Sequence, residues 1–441
     1  MCYEIRTGYQ APPSYCQPAV PSARMNQTKV SADSYPEEDG MYDFYKDLIA
    51  KNDSKIVLLV MDGLGGLPRE AGGKTELATA RTPNLDRLAA ISSCGLLEPV
   101  LPGVTPGSGP SHLALFGYDP LKFRIGRGVM EALGVNFPVE RGDLCIRLNF
   151  ATANAEGILV DRRAGRPKDE ETAVLAAKLQ AAVAVPGYEI FFRPVKEHRA
   201  ALIVRGPGLE EGIRDTDPQV IGKPPLPVVG IGPEKTKKTV EILTSIIAQA
   251  EKALVGEPKA NRMLLRGISF FHPLPTLEER FGVRSCGIAA YPMYKGLARL
   301  AGMAVDDRPK TPADLVAVLK DRWADFDYFF VHYKYTDSSG EDGDFERKVR
   351  MIEECDGLVP AIEALGPDVL AVTGDHSTPA VMKGHSWHPV PALLHSRYCL
   401  ADGLPGFDEV HCARGTLGQR PTLHLMGLLL AHALRLSKYG A

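Results

Sequence analysis

Residues 369–388 read VLAVTGDHSTPAVMKGHSWH, and they hold the densest set of groups that could do chemistry. An apolar run breaks at Gly374 and is followed by Asp375, His376 and, after a loop, His385. Carboxylate oxygen and imidazole nitrogen are donor types that divalent metal ions accept. Two other apolar runs end in acids in the same way. Residues 55–61 lead into Asp62 and Gly63, and residues 327–333 lead to Asp337 and then Glu341. A nucleophile is also on offer. Ser108 lies between two glycines in the stretch PGVTPGSGPSH (102–112), which predicts a hydroxyl exposed on a tight turn. Beside a metal such a hydroxyl loses its proton and can attack.

These groups need elements to bring them together. Continuous hydrophobic runs of this kind suit central strands of a parallel sheet covered by helices on both faces. Sites in open α/β sheets lie beyond the carboxyl ends of the strands, so three strands each releasing an acid predict one shared cluster. The loop GLGG (63–66) lacks the Lys-Ser/Thr of a P-loop and the spacing of a dinucleotide fingerprint, which excludes both nucleotide readings. Thr82 and Pro83 are expected to start a helix, as cap and first helical residue.

With 441 residues the chain is too long for one ordinary core, and two domains are expected. A net charge of −3 with mixed signs gives no reason to expect nucleic acid or a membrane surface as partner. No apolar run approaches the roughly 20 residues of a membrane span. The tail over 423–436 reads instead as a packed helix. Eight scattered cysteines without a C-x-x-C pair fit a reducing, cytoplasmic setting better than a disulfide framework. Residues 1–40, polar and rich in Pro, Ser and Tyr, read as a disordered extension.

The middle of the chain changes character. Residues 139–284 carry short strands, many prolines, and arginines on or beside the strands, including Arg147, Arg162, Arg163, Arg166, Arg199, Arg205 and Arg266. Guanidinium forks match phosphate and carboxylate. After Arg284 the α/β pattern returns, with a strand from Ser285 and a helix from Pro292 that carries Lys295. The reading is therefore an α/β fold whose mostly parallel central sheet is sandwiched by helices. It is split into residues 41–138 and 285–441 by a smaller α+β insert at 139–284.

The motifs VMDGLGG, TARTPNLDRLA, TPGSGPSHLALFGYDP, DRRAGR, HRAALIVRG with DTDP, AAYPMYKGLA, TDSSGEDGDFERKV and TGDHSTP with HSWHPVP occur in that order. From about Lys55 to His424 the chain resembles the archaeal-type cofactor-independent phosphoglycerate mutases, within the alkaline phosphatase superfamily. The resemblance implies an alkaline phosphatase-like sheet and two divalent ions with no organic cofactor. One ion is held by Asp62, Ser108, Asp375 and His376, and the other by Asp337, His385 and the residue four after Asp337. That residue is Glu341 where the family usually has histidine, with Asp342 or Asp344 as substitutes. A fourth acid predicts a less electrophilic site favouring Mn²⁺ or Mg²⁺ over Zn²⁺.

The implied reaction interconverts 3-phosphoglycerate and 2-phosphoglycerate through phosphoserine at Ser108. Lys295 stabilises the leaving oxygen. Arg163, Arg166, Arg199 and Arg205 hold the small-molecule substrate, with Asp161 and His112 beside them; His112 has either a proton-transfer or a structural role. The competing expectations are a phosphatase or phosphotransferase of the same superfamily acting on another small phosphorylated acid, and a non-catalytic binder with a decayed site.

Overall fold

The computed structural model describes residues 43–440. The extension read over residues 1–40 lies outside them. In chain order, β1 (Ile56–Met61) and β2 (Ser93–Glu98) come first. Then follow β3 (Leu144–Ala153), β4 (Leu159–Asp161), β5 (Glu189–Lys196), β6 (Arg199–Arg205) and β7 (Arg262–Phe270). The last group is β8 (Ser285–Ala289), β9 (Ala304–Asp306), β10 (Tyr328–Tyr333), β11 (Val369–Thr373), β12 (Val390–Ser396) and β13 (Gly418–Pro421).

The first and last groups form one eight-stranded sheet in the order β13-β2-β12-β11-β1-β10-β8-β9. The pairings of β1 with β10 and β11, of β10 with β8, and of β8 with β9 are all parallel. Only β12 runs antiparallel to its two neighbours, β11 and β2. Every residue of β1, β10 and β11 is buried, because helices cover both faces. Val57, Leu59, Phe329, Val331, Leu370 and Val372 pack on one face with Leu85, Leu88, Leu319, Ile352 and Ile362. On the other face Phe330 and His332 meet the rings of His112 and Phe116. Each large aliphatic side chain buried this way contributes roughly 1.5–3 kcal/mol, so the central strands are the rigid part of the frame.

The helix Pro83–Ile91 starts where Thr82 and Pro83 predict, but the Thr82 hydroxyl goes to Asp86 Oδ1 (3.2 Å) and makes no cap bond. The tail folds as the helix Leu425–His432, with five of its residues buried. The six described cysteines are free thiols.

The middle strands form a second, antiparallel sheet in the order β4-β3-β6-β5, with β7 on the other side of β3. Its β3 alternates. Leu144, Ile146, Leu148 and Phe150 face the helices Asp169–Ala182 and Pro233–Ala253, while Cys145 faces Val129 and Ala132 of the helix Arg127–Gly134. That last helix is wedged between the second sheet and the helix Pro292–Leu300. It needs glycine on both sides: a Cβ on Gly128 would lie 2.2 Å from the Cys145 carbonyl oxygen. A Cβ on Gly296, in the helix Pro292–Leu300, would lie 2.1 Å from that of Met130.

Candidate metal centre

The register of three parallel strands assembles the site. Met61 pairs with Tyr333 and Val60 with Thr373, so Asp62, Lys334 and Asp375 all leave the sheet at the same edge. Gly63 turns the chain there with φ +64, and its N–H donates to Asp375 Oδ1 at 3.0 Å. Asp337 follows within the helix Tyr335–Asp342. Ser108 is not on the exposed turn its neighbours suggest. It is the first residue of the helix Ser108–Leu115, which begins after Gly107 in extended conformation. Its Oγ lies 3.3 Å from His376 Nε2.

Two sets of donors converge, and His376 belongs to both. Asp62, Asp375 and His376 form one, and Asp337, His376 and His385 the other, each with its ligand atoms within 4.8 Å of one another. His376 Nε2 stands 3.2 Å from Asp375 Oδ2 and 3.6 Å from Asp62 Oδ1, and His385 Nε2 stands 3.6 Å from Asp337 Oδ1. The two imidazoles stack with centroids 3.6 Å apart. His385 donates Nδ1–H to the Pro106 carbonyl at 2.8 Å, which leaves Nε2 as its lone-pair nitrogen. Both oxygens of Asp62 and Oδ2 of Asp375 are buried and make no well-aligned hydrogen bond, and only Asp62 Oδ2 has an ammonium beside it, at 3.0 Å. Buried carboxylate oxygens are stable only when paired, and a divalent cation supplies that pairing. The donor set thus fits divalent metal ions.

The electrostatics separate the carboxyl groups. Burial raises the pKa of Asp62 well above the usual carboxylate range, and the neighbouring Asp375 adds to the rise. Burial acts upward on Asp375 too, but His376 and His112 outweigh it and hold its pKa well below the usual range. Asp337 is also lowered: burial opposes this, and Lys334, His376 and His385 prevail. Burial, with His385 and Lys334 adding to it against Asp375 and Asp337, lowers His376 to about 4, so its imidazole is neutral at pH 7.

Lys334 is the residue that reading the sequence missed. Its Nζ is 3.0 Å from Asp62 Oδ2 and also contacts Asp337 Oδ2, so one ammonium spans a carboxylate of each set. Burial would strip its charge, but Asp62, Tyr294 and Asp337 hold its pKa well above the usual lysine value. The signal was available, since Lys334 directly follows β10 at the edge that releases the acids.

Other candidates fall elsewhere. Lys295 is turned away onto Asp307, with Nζ 3.1 Å from its carbonyl oxygen and 3.2 Å from Oδ1. Glu341 lies beside His385 (3.9 Å to Nε2), but its side chain is 56 % exposed. Asp342 pairs with Arg347 and Asp344 caps the helix Phe345–Asp356, so neither substitutes for it. His112 is fully buried behind the serine, with Nδ1 2.8 Å from the Ser108 carbonyl and 3.2 Å from Asp375 Oδ2. Both contacts are to groups of the chain itself.

The arginines divide in the same way. Arg205 is committed to Asp143 through two hydrogen bonds (2.7 and 2.8 Å) and to Glu140 (2.7 Å). Arg199, at the opposite end of β6, contacts the Tyr291 hydroxyl and stands 4.0 Å from Glu131 Oε1. Arg147 approaches the same Glu131 oxygen at 3.5 Å. Arg163 and Arg166 are exposed on the loop after β4. Asp161 uses its carboxylate to shape that loop, accepting from the N–H groups of Arg163 (2.8 Å) and Gly165 (2.6 Å).

A profile of the 2,3-bisphosphoglycerate-independent phosphoglycerate mutase family matches residues 89–259. A protein of Aquifex aeolicus named "Probable 2,3-bisphosphoglycerate-independent phosphoglycerate mutase" is 51% identical over 409 residues, 90% of this chain and 100% of that protein. The chain belongs to this family. A Thermus thermophilus relative of the same name is 48% identical over 405 residues, covering 91% of this chain and all of its own. Among solved structures, the cofactor-independent phosphoglycerate mutase of Thermoplasma acidophilum superposes with a TM-score of 0.64 at 30% identity, over 86% of this chain and 100% of that one. A Pyrococcus horikoshii protein reaches a TM-score of 0.74 at 28% identity, over 89% and 100%. The family's fold is the α/β architecture described above. No helix among the described residues is long and apolar enough to cross a membrane.

Proposed function

We propose that the chain interconverts 3-phosphoglycerate and 2-phosphoglycerate through a phosphoserine at Ser108. The observation that carries this reading is the Ser108 hydroxyl at a helix start, 3.3 Å from His376 Nε2, which itself stands 3.2 Å from Asp375 Oδ2 and 3.6 Å from Asp62 Oδ1. Asp62, Asp375, His376 and Ser108 would hold one divalent cation and Asp337 and His385 a second, which when bound lower the pKa of the serine hydroxyl and offset charge on the transferring phosphoryl group. Carboxylate and hydroxyl oxygens outnumber imidazole nitrogens in this set, which favours Mn²⁺ or Mg²⁺ over Zn²⁺. Glu341 is left as an outlying charge, and Lys334 adds a positive one. Three carboxylates against two divalent cations and an ammonium leave the site positive before Ser108 ionises. That suits an alkoxide and a phosphate.

In the first step Ser108 Oγ attacks phosphorus and the bond to the substrate's 3-oxygen breaks. The product, glycerate, turns and attacks with its 2-oxygen, which breaks the bond to Ser108 and returns the serine. In the first turn of the helix Ser108–Leu115, Pro110 has no N–H and Ser111 donates to the Gly107 carbonyl, so the N–H groups of Ser108 and Gly109 are the ones that would meet the added phosphoryl charge. Residues 139–284 serve as the substrate-holding insert. Arg199 offers a guanidinium group beside Tyr291 and Arg147 one beside Glu131, and Arg163 and Arg166 would close onto the substrate from their exposed loop. Their task is to retain glycerate and keep water from phosphoserine, which separates a mutase from a phosphatase. We place this activity in the cytoplasm.

The test is ³¹P NMR of the purified protein with Mn²⁺ and 3-phosphoglycerate. The expected result is 2-phosphoglycerate at constant total ester. Release of inorganic phosphate without 2-phosphoglycerate would remove the mutase reading and restore the phosphatase alternative, which the named relatives do not favour.

A further inference from the structure

Thr378 lies two residues beyond His376, and four separate segments converge on it. Its hydroxyl is 2.7 Å from Oδ1 of Asp337, a residue of one donor set, and 3.0 Å from Nδ1 of His376, the residue common to both. Its N–H donates to the Gly65 carbonyl (3.0 Å). The fully buried Lys348 donates to the carbonyls of both Thr378 and Gly65, each at 2.9 Å. Two glycines leave room for it: a Cβ on Gly63 would lie 2.5 Å from the Thr378 Oγ1, and one on Gly340 2.1 Å from the Thr378 carbonyl oxygen.

A threonine hydroxyl has one proton to give. An ionised carboxylate only accepts, so that proton belongs on the bond to Asp337. The threonine oxygen must then accept from His376, which requires hydrogen on Nδ1 and leaves the lone pair on Nε2. That nitrogen is the one 3.3 Å from Ser108 Oγ and 3.2 Å from Asp375 Oδ2. We propose that Thr378 is a positioning residue that fixes the His376 tautomer through its bond to Asp337, and thereby links the two cation positions. Occupancy of one position orders the proton that prepares the other. This inference rests on the metal-centre reading above. Its chemistry is that of outer partners which orient metal-binding imidazoles, whose loss typically weakens metal affinity about 10- to 100-fold.

The experiment compares the full-length parent, Thr378→Val and Thr378→Ser by ¹⁵N-histidine NMR of the metal-stripped protein and by calorimetric titration with Mg²⁺. His376 is assigned by its loss in His376→Gln. The parent and Thr378→Ser should both show the Nδ1–H tautomer. Thr378→Val, nearly isosteric but without a proton to give, should show a mixed or Nε2–H tautomer and bind Mg²⁺ about 10- to 100-fold more weakly. An Nε2–H tautomer in the parent overturns the inference whether or not the valine variant folds. So does a valine variant with unchanged tautomer and affinity. A parent that binds no divalent cation sinks the metal-centre reading itself, a separate outcome from a parent that binds cations with the other tautomer.

Discussion

The tips of the large sheet and the face of the second sheet are both crowded with charge, but they treat it in opposite ways. At the tips, three buried carboxylates, Asp62, Asp337 and Asp375, crowd around the single ammonium of Lys334, and oxygens of Asp62 and Asp375 make no well-aligned hydrogen bond. On the second sheet most arginines already have protein partners: Arg162 binds Asp217 through two bonds, Arg205 binds Asp143, and Arg266 lies 3.4 Å from Asp217. Buried charge left in excess of its partners is costly and signals a ligand. Paired charge signals architecture. Arg199 and Arg147 lie between these cases, sharing Glu131, whose two oxygens are buried without a hydrogen bond.

Substitutions sharpen that contrast, beginning where the effect is largest. Ser108→Ala should cut kcat by about 10⁴-fold or more, as loss of a nucleophile does. Mass spectrometry of the parent after incubation with substrate should find phosphate on Ser108, and none in the variant. Arg199→Ala should lower kcat/KM about 10- to 150-fold, the size of a lost hydrogen bond to a charged group, an effect on turnover well beyond any loss of melting temperature from leaving the buried Glu131 with Arg147 alone. Arg205→Ala should do the reverse. It strands the buried Asp143 and should cost about 1–3 kcal/mol in urea unfolding, while kcat/KM of the folded enzyme stays the same. If the two arginine variants behave alike, the division of the second sheet fails.

A smaller effect is expected with pH. Burial, reinforced by Arg199 and Arg147, lowers His198 to about 3. The unfolded chain takes up a proton near pH 6.5 and the folded one does not. Stability is therefore lost as pH falls from about 6.5 towards 3. His198→Gln should move the acid-unfolding midpoint, followed by circular dichroism, to lower pH. The smallest change is reserved for Glu341. Exposed and 3.9 Å from His385, its replacement by Gln should alter Mn²⁺ affinity and kcat/KM less than about fivefold. A loss of a hundredfold would make it a ligand after all.

The sequence carried the large sheet well, because unbroken apolar runs ending in an acid leave few other architectures. Strands at 56–61, 328–333 and 369–373 fall within a residue of the runs that announced them. Asp62, Asp337, Asp375, His376 and His385 meet because parallel register aligns strand ends. Ser108 was legible as a hydroxyl to be placed near the acids but not as the opening residue of a helix, since Gly and Pro on both sides also describe a turn. Lys295 and Arg205 were misread for a common reason. A long cationic side chain can reach several acids, and only the folded position of Asp307 or Asp143 decides which. Lys334 was overlooked because a lysine after a strand resembles ordinary surface charge.

Lys334 carries one last consequence. An ammonium already lodged between Asp62 and Asp337 acts as a placeholder, relieving repulsion among acids that would otherwise need an ion before the chain could close. Acquiring the fold and acquiring the metals are then separable events. Chelator-treated protein should keep its cooperative melting transition while losing turnover, and it should regain turnover when ions return without passing through an unfolded state.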